Sequence, residues 1–274
     1  MIYESISSPQ NEKIKSIVRL RENSRERRKQ RLFVVEGLRE INIALNNGYL
    51  IEEFYFQHES VFLDYKSKLA KQCKCYLVHE NLSKKIAVRE DTFAGIAVFA
   101  EKEAINLSTL KLLSEDCTLI LEGVEKPGNI GAVFRTANAL GIQRIILLKD
   151  HFDFYNPNTI RSSLGAVFST PHLSCTIDEL RAFKSQNNLQ LFATFLSKKS
   201  QALNKISFPA QVLVAFGSEA QGLSPEIEAL ADQFIIIPQL GEVDSLNIAN
   251  SAAIIMWELR RNNLDRDQFK TNLS

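Results

Sequence analysis

Apolar residues recur along this chain with more than one period, and the changes of period mark its elements. Ile14, Ile17, Val18 and Leu20 fall on one stripe of a helical wheel, so residues 5–30 predict a basic helix. LFVVEG predicts a short strand ended by Gly37. REINIALNNG predicts a helix with Ile41, Ala44 and Leu45 inward and a stop at Asn46-Asn47-Gly48. IEEFYF, KCYLV and GIAVFAE read as further strands, an alternation of helix and strand on a small scale. Residues 101–116 (EKEAINLSTLKLLSED) lose strand character and mix their charges, which places a domain junction there. From Cys117 the elements lengthen: CTLILE, GAVFRTANALG, RIILLK, LQLFATF, QVLVAF, QFIIIP and a final helix, NIANSAAIIMWELRRN. Near-continuous apolar strands separated by helices predict a parallel sheet covered on both faces. The expected fold class is therefore α/β, with a small domain over residues 1–100, a linker over 101–116 and a larger parallel-sheet domain over 117–274.

A chain of 274 residues, 45% of them hydrophobic, can bury two modest cores, which agrees with that division. Residues 1–10 are polar and lack the apolar core of a signal peptide, and no apolar run approaches a membrane span, so the expected location is cytoplasmic. Cys73, Cys75, Cys117 and Cys175 form no CxxC pair and have no His partners at zinc spacing. His58, His79, His151 and His172 are scattered singly, so neither a metal nor a disulfide framework is expected. The net charge is only +1, but it is unevenly spread. From Lys13 to Arg31 nine basic residues face two acidic ones, a local charge of +7. Two readings fit that run: a solvated helix face, or a footprint for RNA phosphates carried by Arg25, Arg27 and Arg28.

Candidate chemistry lies where three apolar strands run through polar loops into helices. The first such segment is TLILEGVEKPGNIGAVFRTANALG from Thr118, the second VLVAFGSEAQGLSPE from Val212, and the third runs from Ile237 to Ala253. In the first, Pro127-Gly128-Asn129-Ile130-Gly131 opens a helix, Asn129 suits capping, and Arg135, six positions later, is expected within reach of the helix's opening turns. In the second, Ser224 and Pro225 form a helix start after a glycine-bearing loop. In the third, Ser245 and Asn247 stand beside a helix N-terminus, where they cap backbone N–H groups or turn outward as hydrogen-bonding groups.

In this order and with these residues, the loops resemble the three motifs of the SpoU/TrmH family (SPOUT superfamily) of RNA ribose 2′-O-methyltransferases, over roughly residues 117–263. The resemblance implies a catalytic domain whose C-terminal segment threads a trefoil knot, a feature that periodicity would not predict because knots are nearly absent from proteins. It implies transfer of a methyl group from S-adenosylmethionine to a ribose 2′-hydroxyl, with no metal. Asn129 and Arg135 inherit the catalytic pair. A guanidinium carries no acceptor and stays protonated, so Arg135 is expected to position a phosphate and stabilise a developing alkoxide rather than take a proton. Gly217, Ile237 and Leu246 lie where backbone atoms hold the cofactor, while Ser245 and Asn247 approach its methionine end. Glu219 either orients Asn129 or Arg135 or is a charged loop residue. Many relatives have an acidic residue before Pro-Gly-Asn, whereas this chain has Lys126.

Between the first two loops, Asn156–Ala166 resembles the family's segment for RNA contacts, with Arg161 and Ser162 or Ser163 suited to phosphate; a helix start with structural serines is the other reading. RLFVVEGLREINIAL is similar to the ribosomal-protein-like substrate-binding domain attached to many family members, which favours rRNA over tRNA. The family also implies a homodimer in which Arg135 serves the partner's pocket. The final helix offers an apolar stripe for it (Ile248, Ala252, Ile255, Met256, Leu259) beside Ala249 and Ala253, although packing within the chain explains the same stripe. A non-catalytic RNA-binding protein retaining the fold is the alternative, and the joint presence of Asn129, Arg135, Glu219, Ser245 and Asn247 argues against it. A missing GxGxxG disfavours a nucleotide-binding oxidoreductase.

Overall fold

Contacts within the chain gather into two compact units in the computed structural model, which describes residues 2–87, 93–148, 152–242 and 245–261. Met1–Glu103 with Asp153–Ser169 form the first; Ala104–Phe152 with Thr170–Ser274 form the second. His151 and the Val243-Asp244 pair of the third loop lie outside the described residues. Among the described residues no helix is long and apolar enough to cross a membrane.

The first unit begins with β1 (Tyr3–Ile6), α1 (Glu12–Glu22), α2 (Ser24–Gln30), β2 (Leu32–Glu36) and α3 (Leu38–Asn46). It continues with β3 (Ile51–Phe56), α4 (Glu59–Tyr65), β4 (Lys74–Val78), α5 (Glu80–Ile86) and β5 (Ile96–Ala100). Its sheet runs β1-β4-β3-β5-β2, with β1, β4 and β3 mutually parallel and β5 antiparallel to its two neighbours. The single helix predicted over 5–30 is two helices preceded by a strand. Asn23 breaks it: its backbone is extended and its side chain accepts from the N–H groups of Arg25 and Glu26, starting a second helix. The predicted stripe survives within α1, where Ile14, Ile17 and Leu20 are buried.

Arg27 is a correction. It is only 2% exposed, and its guanidinium donates to the carbonyls of Leu20 and Arg21 (2.9 Å to the latter) and, through Nε (3.0 Å) and a terminal nitrogen, to Asp153. Five donors in a rigid fork satisfy the frayed carbonyls of α1 and one carboxylate together. A side chain so enclosed does not bind phosphate. Arg25 and Arg28 remain exposed.

The second unit opens with β6 (Asp116–Glu122), α6 (Pro127–Ala139) and β7 (Arg144–Leu148). The chain then enters the first unit for α7 (Pro157–Ser162) and α8 (Ala166–Ser169) before returning as β8 (His172–Cys175), α9 (Ile177–Gln186), β9 (Gln190–Thr194), β10 (Gln201–Ala202), β11 (Gln211–Phe216), α10 (Pro225–Leu230), β12 (Gln233–Ile236) and α11 (Ile248–Arg260). The seven strands run β10-β12-β9-β11-β6-β7-β8, all pairings parallel. All of β6 and β7 is buried, as a sheet covered on both faces requires. Leu180 and Phe183 of α9 and Ile227 of α10 pack with Ile120, Ile146 and Leu213 in one cluster, joined by Leu107 from the stretch before β6. α6 packs with α11.

The excursion is held in the first unit by rings as well as by the Arg27–Asp153 pair. Tyr155 stacks on Phe33 with centroids 4.1 Å apart, its hydroxyl lies 3.3 Å from that of Tyr49, and Phe168 meets Tyr49 edge-on at 5.2 Å. Residues 156–166, read from sequence as an interlude between two catalytic loops, therefore belong with the N-terminal unit.

Candidate active site

Three loops leave the carboxyl ends of β6, β11 and β12, the end of a parallel sheet where ligands are received. In the first, Pro127 occupies the opening position of α6, so the helix starts before Asn129 and not at it. The N–H of Asn129 bonds the Lys126 carbonyl at 3.1 Å inside the helix, and its side chain is left for other work. The expectation that Asn129 caps the helix is corrected accordingly.

In the second loop the chain folds back on itself. Ser218 and Gly222 exchange backbone hydrogen bonds (3.1 and 3.0 Å), and a Cβ on Gly217 would strike the backbone of Gly222 and Leu223. Gly217 is thus needed for close approach, and Gly222, with φ of 68°, for the turn itself. Beyond it, Ser224 caps α10 and Pro225 follows, as read from the sequence. Glu122, buried at the end of β6, fastens this start: its two carboxylate oxygens accept from the N–H and hydroxyl of Ser224, both at 2.7 Å. Sequence reading missed Glu122, although a lone acid closing an apolar strand was a visible signal for a paired carboxylate.

The tip of that loop carries Glu219, on which the site converges. Lys126 Nζ donates to Oε2 at 2.9 Å, while Asn129 Nδ2 (3.1 Å) and Asn247 Nδ2 (2.9 Å) both donate to Oε1. Asn247 Nδ2 also reaches Asn129 Oδ1 at 3.2 Å. The orientation of Asn247 is fixed from the other side, because its Oδ1 caps α11 by accepting from Ala249 N–H at 2.9 Å. Asn247 therefore caps the helix and joins the cluster at once; the two sequence readings were not alternatives. Hydrogen bonding from Lys126, then its charge and the amide of Asn129, hold the Glu219 carboxyl below the usual carboxylate range. Lys126, the noted departure from the family pattern, is the counter-ion of this acid.

Two cavities adjoin the cluster. One, of about 290 Å³, is lined by Phe216, Gly217, Ile237, Ser245, Leu246 and Ile248 among others; the second, of about 310 Å³, by Lys126, Asn129 and Gln221 among others. Ser218, Glu219 and Ile248 line both, so the Glu219 loop stands between them. Apolar walls and bare loop backbone, with no room for a side chain at Gly217, suit the adenine and ribose of a nucleoside cofactor in the first cavity.

Arg135 is not part of this assembly. It is exposed on α6, lines neither cavity, and its guanidinium makes no hydrogen bond or ion pair to another described residue. Six residues after Asn129, it lies ~9 Å further along the helix and about 120° around it. The expectation that it reaches the helix's opening turn is not met. Arg161 is exposed on α7, 3.3 Å from Asn158 Oδ1, and the Ser162 hydroxyl donates to the Asn158 carbonyl at 2.7 Å; both stand in the first unit. Ser163 is buried and bonded to the Ile160 carbonyl. The α11 stripe from Ile248 to Leu259 is buried within the chain, so it offers nothing to a second subunit. The exposed apolar residues of α11 are Ile254 and Trp257.

Residues 116–257 match the SpoU rRNA Methylase family, and residues 11–97 match the MRM3-like substrate binding domain. An uncharacterized tRNA/rRNA methyltransferase of Synechocystis is 30% identical, the match covering 94% of this chain and 93% of the relative. The 23S rRNA (guanosine(2553)-2′-O)-methyltransferase RlmP of Bacillus subtilis is 27% identical over 94% of this chain and 99% of its own. Among solved structures, the AdoMet-bound rRNA methyltransferase of Sinorhizobium meliloti superposes with a TM-score of 0.86 at 27% identity, covering 95% of this chain and 98% of that one.

Proposed function

The chain belongs to the SpoU rRNA Methylase family, and from that membership we propose that it methylates a ribose 2′-hydroxyl of ribosomal RNA, using S-adenosylmethionine, in the cytoplasm. The observation that carries the reading is the Glu219 cluster standing between two adjoining cavities, one walled by apolar side chains and loop backbone, the other carrying Lys126, Asn129 and Gln221 in its lining. The bound cofactor supplies an electrophilic methyl group on a sulfonium. Gly217, Ile237 and Leu246 would hold it, and Ser245 would meet its polar end.

The remaining chemistry is positioning. Glu219 fixes the amides of Asn129 and Asn247, and each keeps hydrogen-bonding capacity beyond the bonds described. Asn129, at the wall of the second cavity, is suited to orient the ribose hydroxyl. Lys126 keeps Glu219 ionised, so the acid stays an acceptor of their N–H groups. Preference for ribosomal over transfer RNA is supported by the N-terminal substrate-binding domain and by the full-length match to RlmP. The trefoil knot belongs to the same reading, supported by the likeness to the Sinorhizobium enzyme.

We further propose a homodimer in which Arg135 of one subunit completes the other's site. Its separation from the Asn129 cluster on the same helix supports this, as do the exposed Ile254 and Trp257. Arg135 would then hold an RNA phosphate and stabilise the developing alkoxide. Transfer of tritiated methyl groups into ribosomal RNA, followed by digestion to nucleosides, should yield a 2′-O-methyl nucleoside; base-methylated products only would contradict the reaction. Mixing Arg135→Ala chains with Asn129→Ala chains should restore part of the activity that each lacks. No restoration despite demonstrated subunit exchange would remove the shared site.

A further inference from the structure

The first unit has a cavity of its own, about 410 Å³, at the carboxyl ends of β1, β4 and β3. Topology creates it. β3 presents Phe54 and Phe56 to one face, where Tyr65 and Phe62 of α4 stack on them at 5.0 and 5.3 Å. The next strand, β4, leads into α5, whose Leu82 and Ile86 cluster with Tyr55, Tyr76 and Ile14 on the opposite face. Adjacent parallel strands whose connections leave toward opposite faces open a crevice that neither connection fills, and in open α/β sheets such a point is where ligands enter.

The chemistry of the crevice is specific. Its floor is Ile6, Leu77 and Val78; around it stand Gln57, His58, His79 and the carboxylate of Glu80, with the hydroxyls of Ser5 and Ser7. No lysine or arginine lines it among the described residues, which argues against a phosphate as the occupant. Both imidazoles are exposed, neither caps the helix it precedes, and that of His58 has no hydrogen-bond partner among the described residues. Positive charge lies outside: Lys84 and Lys85 are exposed on α5, and Lys85 Nζ reaches the Pro9 carbonyl at 3.1 Å, two residues past Ser7. Planar rings and amide groups over an apolar floor, with lysines beyond the rim, match the division between base contacts and backbone contacts in RNA recognition.

We infer that this crevice receives one unpaired nucleobase of the RNA, stacked on the imidazoles of His58 and His79 and hydrogen-bonded by Gln57, while Lys84 and Lys85 follow the adjoining backbone. The inference rests on the reading of the protein as an RNA methyltransferase. It gives the N-terminal unit a base-reading role separate from methyl transfer.

The test uses the full-length protein and two RNA hairpins, one with a single unpaired 2-aminopurine and one fully paired. The wild-type protein should change the fluorescence of the unpaired base and prefer the bulged hairpin by about tenfold. The His58→Ala/His79→Ala variant should bind both hairpins alike, with S-adenosylmethionine binding unchanged by calorimetry. On the wild-type protein, 4-thiouridine at the unpaired position should crosslink to peptides containing Gln57–Glu59 or His79–Asn81. A double variant that keeps both the preference and the fluorescence change overturns the crevice. Equal affinity of the wild-type protein for both hairpins does so too while leaving RNA binding intact, whereas no affinity for either removes the RNA reading and this inference together.

Discussion

Two charged side chains each gather several partners in this protein, and they do so under opposite conditions. Arg27 is enclosed in the first unit and spends its donors on the carbonyls of Leu20 and Arg21 and on Asp153. Glu219 stands at the rim of the second unit with its side chain 35% exposed, accepting from Lys126, Asn129 and Asn247. Burial sets what each is worth. A buried ion pair broken by removing one partner leaves desolvated groups unpaired, whereas a solvated cluster exchanges its partners for water at small cost. The first arrangement holds structure, and the second leaves its groups accessible to a substrate.

The largest effect expected from this contrast is on stability at Arg27. Arg27→Ala should destabilise the protein by about 3–5 kcal/mol, because Asp153 and two carbonyls lose their partner. Chemical denaturation would show it, and a loss under about 1 kcal/mol would mean that water replaces the guanidinium. Asp153→Ala should behave similarly, since it leaves the buried cation unpaired.

Glu219→Gln should do the reverse, lowering methyl transfer by about a hundredfold in turnover while the melting temperature hardly moves. Substitution by glutamine puts an N–H₂ group where one oxygen accepted, so either Lys126 or the two asparagines lose their acceptor. Because the folded carboxyl titrates below its ordinary value, whatever stability the cluster adds is present above the ordinary carboxylate range and lost only as pH falls through the lowered value. An NMR titration of the Glu219 carboxyl should therefore have a midpoint below that of an exposed glutamate, and Lys126→Ala should move it upward. A midpoint unaffected by Lys126→Ala would show that the ammonium is not its principal partner.

The smallest effect concerns the basic run itself. With Arg27 withdrawn, Arg25 and Arg28 remain as exposed cations of α2. Replacing both by Gln should reduce the slope of log affinity against log salt by roughly 0.7–0.9 for each phosphate that is no longer neutralised. An unchanged slope would return both residues to the role of a solvated helix face.

These contrasts also show what could be read from the chain alone. The second unit was legible because its central strands, β6, β7, β9 and β11, are largely buried on both faces and so appear as apolar runs, with each polar loop marking a strand end, whereas the edge strands β8 and β10 carry exposed polar positions and gave no such run. Parallel topology then brings those ends together, which is why Asn129, Glu219 and Asn247 meet although up to 118 residues separate them. Periodicity placed Arg135 on α6 but did not show that it is exposed there and lines neither cavity. The basic run was misread at Arg27 because sequence shows charge without showing which face is covered; its partner, Asp153, lies 126 residues away in an excursion that linear boundaries cannot reveal. β1 escaped notice because it is a four-residue edge strand with two exposed polar positions.

Mapping 2′-O-methylation across the ribosomal RNA of a strain lacking this gene puts the proposed ribose methylation to the test in the cell. One ribose methylation should disappear, return on expression of the wild-type chain and stay absent with Asn129→Ala. An unaltered methylation map, or full restoration by the Asn129→Ala protein, would contradict it.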